Sequence, residues 1–179
     1  MEAIQFLVHT AFTLAIMLML IRFWLQLVRA DFYNPFSQFV VKATNPVVLP
    51  LRRVIPSIGK LDTATLLIAY LLATTKFIVL QLLFSVSLQI GPSFILGGLL
   101  LMKEILSLIF WILLIRAIMS WVSQGRNPME QVFQQLTEPM LSPIRRILPP
   151  MGGLDLSVLI ALVALKFIEL LFAGWFRGL

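Results

Sequence analysis

Cysteine is absent from this chain. Disulfides, thiolate metal sites and cysteine nucleophiles are therefore excluded, and the absence says nothing about redox compartment. Histidine occurs once, as His9. A zinc site usually takes at least three protein ligands, so His9 cannot build one alone. Charge is scarce, at 12% of residues, where an ordinary soluble domain carries about a quarter. Motifs of catalysis are missing as well: H-E-x-x-H, a P-loop and G-x-G-x-x-G do not occur. Nor does the N-terminus, Met1-Glu2-Ala3, have the basic start of a signal peptide, and no small-residue cleavage site follows. The first apolar run is therefore expected to be a retained helix.

What fills the 179 residues instead is apolar: 60% are hydrophobic and the mean hydropathy is +0.98. A soluble fold of this size cannot hide so much apolar surface, so lipid is the expected solvent. Four runs stand out, at about 4–29, 62–88, 95–122 and 154–175. Each reaches the roughly 20 residues that cross a bilayer. The expected fold is an all-α membrane protein of four transmembrane helices. Between the second and third runs, Gln89-Ile90-Gly91-Pro92-Ser93 is short and uncharged. Its Gly and Pro predict a tight turn between helices.

The other two connectors are long and basic. Arg22, Arg29, Lys42, Arg52, Arg53 and Lys60 stand against Asp31 in the first. Arg116, Arg126, Arg145 and Arg146 stand against Glu130 and Glu138 in the second. Such a bias places both connectors in the cytoplasm and both termini outside, and it explains the net charge of +6 better than nucleic acid does. The Trp residues, Trp24, Trp111, Trp121 and Trp175, fall mainly near helix ends, as interface anchors do.

Residues 44–67, TNPVVLPLRRVIPSIGKLDTATLL, return 93 residues later as TEPMLSPIRRILPPMGGLDLSVLI. Ten of the 24 positions are identical, among them Thr44/Thr137, Arg52/Arg145, Arg53/Arg146, Gly59/Gly152 and Asp62/Asp155. Composition can repeat leucine but not this polar punctuation. Two tandem units follow, 1–90 and 91–179, each with an even number of spans. They therefore enter the membrane in one orientation, as parallel repeats about a pseudo-twofold axis along the normal.

Each connector predicts an amphipathic, basic hairpin. Asn34 and Asn127 suit N-caps, with Pro35 and Pro128 at the first helical position. Phe36, Phe39, Val40 and Ala43, and likewise Met129, Val132, Phe133 and Leu136, make one apolar stripe on a short surface helix. The prolines of P-x-R-R-x-x-P, Pro50 to Pro56 and Pro143 to Pro149, are expected to stop that helix. Gly59 and Gly152 then allow a reversal. Asp62 and Asp155 are expected as caps of the next span.

Two sets of polar residues are candidate sites. Arg52, Arg53, Arg145 and Arg146 either anchor topology through salt bridges to Asp62 and Asp155, or capture anionic lipid or an acidic partner. Lys76, Lys103, Glu104, Lys166 and Glu169 lie inside apolar runs, where charge is costly and by default functional. Lys76 lies 14 residues beyond Asp62, or about 21 Å along a helix. Lys76, Lys103, Glu104 and Glu169, with His9, are placed in the outer half of the bundle, and Lys166 pairs with Glu169 at i, i+3; the set either neutralises itself or lines a hydrated vestibule. No carbonyl-rich filter motif accompanies them. No Ser–His–Asp set can share one membrane depth, so an enzyme is not expected.

D-F-Y-N-P-F-S-Q (Asp31 to Gln38), L-R-R-V-I-P (Leu51 to Pro56), I-M-S-W-V-S-Q-G-R (Ile118 to Arg126) and P-I-R-R-I-L-P (Pro143 to Pro149) together resemble the YggT family of bacterial membrane proteins. The resemblance covers essentially the whole chain. It implies an inner-membrane protein with two tandem units and no catalytic residue. It also implies a role in osmotic-stress tolerance and membrane homeostasis through ion flux, or, from relatives, in assembly and scaffolding. No cofactor is expected. The partners implied are membrane lipids and a cytoplasmic protein rather than nucleic acid, and a homo-oligomer is consistent with so few helices for a pore.

Overall fold

The computed structural model describes residues 2–84, 89–122, 128–147, 156–172 and 174. Six helices carry them: α1 (Glu2–Leu27), α2 (Pro35–Arg52), α3 (Thr63–Leu83), α4 (Ile90–Val122), α5 (Pro128–Ile147) and α6 (Leu156–Leu171). Strands are absent among the described residues. Three of the helices, α1, α3 and α4, are long and apolar enough to cross a membrane. Over its described part α6 has 16 residues, about 24 Å at 1.5 Å per residue.

The core forms where α1, α3 and α4 meet, through Ile16, Met19, Leu20, Ile68, Ala69, Ala73, Leu100, Leu101 and Leu108. A smaller cluster of Leu113, Leu141, Val158, Ala161 and Leu165 joins α4, α5 and α6. Helix α3 packs on both α1 and α4, whereas α6 packs on α4 and α5 and makes no comparable contact with α1 among the described residues. A pseudo-twofold axis would return the α3–α4 contact as α6 on α1. The two halves instead meet head to tail, one giving its second long helix to the first long helix of the next.

The predicted turn at 89–94 is displaced. Helix α4 begins at Ile90, with Gly91, Pro92 and Ser93 in its first turn, and runs for 33 residues. Proline fits there because the first-turn N–H groups have no helical partner anyway. At about 50 Å, α4 exceeds the bilayer core and has to tilt or protrude. Its first half lies against α3: Tyr70 donates to the Phe94 carbonyl, Thr74 lies beside Gly97, and Lys76 meets Glu104.

Gly97 makes the contact possible. A Cβ there would stand 2.7 Å from the Thr74 Cα and 2.3 Å from its hydroxyl. Small residues let membrane helices approach this closely. Gly97→Ala is expected to push α3 and α4 apart and to cost about 1–3 kcal/mol, the usual range for overpacking. Thermal unfolding in mild detergent would show it as a lowered midpoint, and an unchanged midpoint would refute the close approach.

The surface helices refine one expectation. Pro46 and Pro50 lie inside α2, and Pro139 and Pro143 inside α5. No proline ends its helix at its own position, but α2 does stop at Arg52, between Pro50 and Pro56 as expected. Helices α2 and α5 have 18 and 20 residues. In each helix the two prolines stand four apart on the exposed face. The carbonyls they leave unbonded therefore sit where water can reach them. The apolar stripe is also rotated by one residue in α2. Ser37, Val40, Thr44 and Val48 are buried, while Phe39 is exposed.

Two of the local signals fall as expected here. Asn34 caps α2, its side chain accepting from the Phe36 N–H at 2.9 Å, with Pro35 first in the helix. Gly59 takes φ 61°, the left-handed conformation that glycine adopts without penalty, in the reversal before α3. The counterparts Asn127 and Gly152, with Pro149, lie outside the described residues, as do the side chain of Trp121 and the whole of Trp175.

Candidate functional site: basic hairpins and a buried charge seam

At the end of α2 the neighbours Arg52 and Arg53 have different fates. Arg52 is turned inward. Its guanidinium donates to Asp62, through Nε at 3.3 Å and through Nη2, and also to Gln26 at the end of α1. Asp62 is fully buried and caps α3, accepting from the Thr65 N–H at 3.3 Å and from the Thr65 hydroxyl. Burial alone would raise the Asp62 carboxyl. The hydrogen bonds from Arg52 and Thr65 outweigh it and hold the pKa below the ordinary value. The anticipated Arg52–Asp62 bridge is thus within one hairpin and ties three elements together.

Arg53 points outward. It is exposed, and its side chain makes no hydrogen bond or ion pair among the described residues. It edges a groove of about 650 Å³ on the outer face of α2, lined also by Phe32, Lys42, Pro46, Leu49 and Pro50. Two cations and an apolar floor share this groove.

The second hairpin divides its arginines the same way. Arg145 is held by Glu138 at 3.0 Å, and Arg116 reaches the same carboxylate at 3.6 Å. Arg146 is exposed and, among the described residues, without a side-chain partner. Asp155 lies outside the described residues, so its predicted capping role is not seen.

Two functional side chains escaped the sequence reading. Arg22, in α1, is buried. It donates to the Thr44 hydroxyl at 2.6 Å, to Asn45 Oδ1 at 2.8 Å and to the Val41 carbonyl at 3.2 Å. Arg116, in α4, donates likewise to the Thr137 hydroxyl. Each arginine pins a surface helix to its long helix by a charge-assisted bond. The signal was present: Leu20-Ile21-Arg22 returns as Leu114-Ile115-Arg116, but at an offset of 94. An alignment fixed at 93 sets Arg22 against Ile115 and hides the match.

The surface helices also meet each other near their starts. Asn34 Nδ2 donates to the Pro128 carbonyl at 2.7 Å, the Asp31 N–H donates to Gln135 Oε1 at 2.9 Å, and the Phe36 and Phe133 rings lie 6.0 Å apart. Both basic hairpins are therefore held at one end of the molecule.

The charges within the long helices do not form one cluster. Lys76 is 1% exposed; its ammonium donates to Glu104 at 3.0 Å and to the Thr13 hydroxyl at 2.8 Å. This bridge links α1, α3 and α4. His9 is exposed yet close enough to feel the charges of Lys76, Glu104 and Lys103. Lys103 is half-buried and makes no ion pair among the described residues. Lys166 and Glu169 stand apart on α6, bridged to each other at 2.9 Å and 57% and 42% exposed. No group of three or more His, Asp or Glu able to hold a metal ion occurs among the described residues.

The profile of the CCB3/YggT family matches residues 1–83 and 95–176. The chain belongs to this family. It is 55% identical to the "uncharacterized protein in proC 3′ region" of Vibrio alginolyticus, over 99% of this chain and all of that one. It is 52% identical to the "uncharacterized protein YggT" of Escherichia coli K12, over 95% of this chain and 89% of that one. A Pseudomonas aeruginosa relative, PA0392, is 43% identical over 93% of this chain and 86% of its own. No solved structure matches.

Proposed function

We propose that this YggT-family chain is a non-enzymatic, multi-pass scaffold of the inner membrane that holds anionic phospholipid at its cytoplasmic face. It has two tandem units and four spans, with both termini outside and both basic hairpins inside. The Lys/Arg excess on the hairpins supports that orientation. The observation that carries the function is the division of labour within each arginine pair. Arg52 and Arg145 are consumed by Asp62 and Glu138, while Arg53 and Arg146 remain exposed. Beside Arg53, Lys42 and the apolar floor of the 650 Å³ groove suit a headgroup phosphate with an acyl chain alongside.

The test is lipid retention by the purified full chain in mild detergent, offered phosphatidylglycerol against phosphatidylcholine. Phosphatidylglycerol should be retained preferentially. A basic residue near an anionic surface contributes about 1 kcal/mol, or roughly fivefold in affinity. Arg53→Ala and Arg146→Ala should therefore each weaken retention by about that factor. A double variant that retains phosphatidylglycerol as the parent does would end this reading.

Ion flux in osmotic homeostasis is the second reading, and it would have to run through Lys76 and Glu104. Their burial and mutual neutralisation favour a closed seam over a path. Liposomes carrying the purified chain should then pass no more ions than protein-free ones. A flux abolished by Lys76→Ala would reverse the ranking.

A further inference from the structure

The head-to-tail contact between α3 and α4 has two sides, and each has a copy left open elsewhere in the chain. On α4 the contact is made by Gly97, Gly98 and Glu104, with Leu101 buried in the same core cluster. At the offset of 94 that matches Arg22 with Arg116, these positions correspond to Ala3, Ile4, Leu7 and Thr10 on α1. Ile4 and Leu7 are 55% and 65% exposed. On α3 the contact is made by Tyr70, Thr74 and Lys76. Their counterparts at the offset of 93 are Val163, Phe167 and Glu169 on α6, and Val163 and Phe167 are exposed too.

The two open faces occupy matching positions, and one pair is complementary in size. Within the chain, large Tyr70 lies against Gly98. The open copies reverse the sizes, with small Val163 on α6 opposite large Ile4 on α1. Ala3 and Phe167 take the places of Gly97 and Thr74, so the copied contact would keep the register of the original at a wider helix spacing. Glu169 takes the place of Lys76 and would face Thr10 beside His9. An independent observation also asks for a cover on α6. Lys166 and Glu169 are exposed on an apolar helix, about 11 and 14 residues past Asp155, which is about 16 and 21 Å deep at 1.5 Å per residue. Charges at such depth nearly always face protein or water rather than lipid.

We propose that α6 of one chain packs on α1 of a second copy, repeating in trans the contact that α3 makes on α4 in cis. Contacts of this heterologous kind leave complementary ends that join further copies and close into a ring when the rotation allows. Two chains supply four units, the smallest ring in which every open face is covered. The inference rests on the tandem-unit reading but not on lipid capture, and its test is independent of lipid retention.

The native chain has no cysteine, so cross-linking starts from a clean background. Chains carrying Ala3→Cys and Phe167→Cys, with different tags, are co-expressed and oxidised in the membrane. A disulfide-linked dimer bearing both tags is expected, well above the yield from either variant alone. Phe167→Cys pairing mainly with itself would mean that α6 meets α6, and overturns the proposal. A double variant that closes only within its own chain would mean that α6 folds back on its own α1, and overturns it equally. The unmodified chain in lipid nanodiscs should have the mass of a dimer. A monomer there would contradict the proposal whatever the variants do.

Discussion

Lys76→Met is expected to be the most damaging single substitution in the long helices. It leaves the Glu104 carboxylate largely buried among α1, α3 and α4 without its cation. Removing one partner of a buried pair costs about 3–5 kcal/mol, because the other charge is stranded. Replacing both partners with apolar side chains removes the stranded charge, and that exchange is often neutral or stabilising. Lys76→Met with Glu104→Leu should therefore recover most of the stability. Thermal unfolding of purified chain in detergent reads both. If the double variant is as weak as the single, or the single is as stable as the parent, the seam does not hold the three helices together.

The second large effect is expected at Asp62. Asp62→Ala removes the cap of α3, worth about 1 kcal/mol. It also removes the charge-assisted bonds from Arg52, worth about 1.5–3 kcal/mol. Asp62→Asn separates the two terms, since asparagine caps as well as aspartate but carries no charge. The same site gives a pH dependence of known sign. The folded pKa of Asp62 lies below the ordinary 3.8, so the unfolded chain takes up the proton first as pH falls. The stabilisation is whole above about pH 5 and is lost as pH drops through the folded value. The unfolding midpoint of the parent should fall more steeply in acid than that of Asp62→Asn. Parallel curves would show that the carboxylate is not what the hairpin depends on.

Much of the hairpin was legible because its signals are local. Asn34 with Pro35, Gly59 and Asp62 each answer a backbone need fixed by their immediate neighbours, and each acts as expected. Hydropathy located the long helices for the same reason. What failed was decided by tertiary context. Pro50 was expected to help stop α2, and the helix does end before Pro56, but Pro46 and Pro50 themselves sit within it because the freed carbonyls face outward. Gly91-Pro92 marks a boundary, but the boundary is the start of α4 rather than a turn. Arg22 and Arg116 looked like topological charge until Thr44 and Thr137 appeared beneath them. The stretch from α4 to its hairpin is one residue shorter than that from α1 to its own, and this hid the correspondence.

The charged set shows the same limit. Depth along the helices rightly placed Lys76 and Glu104 together. It also placed Glu169 with them, because a helical count gives height but not the side of the bundle. The head-to-tail packing of the two halves puts Lys166 and Glu169 on an outer face instead.

The proposal that both basic hairpins face one side of the membrane bears on everything else, and the cysteine-free background makes it directly measurable. Arg53→Cys and Arg146→Cys are introduced singly, and intact cells are treated with a membrane-impermeant thiol reagent. Both positions should resist labelling until the cells are opened, and then react alike. Labelling of one position from outside and the other only from within would contradict the account.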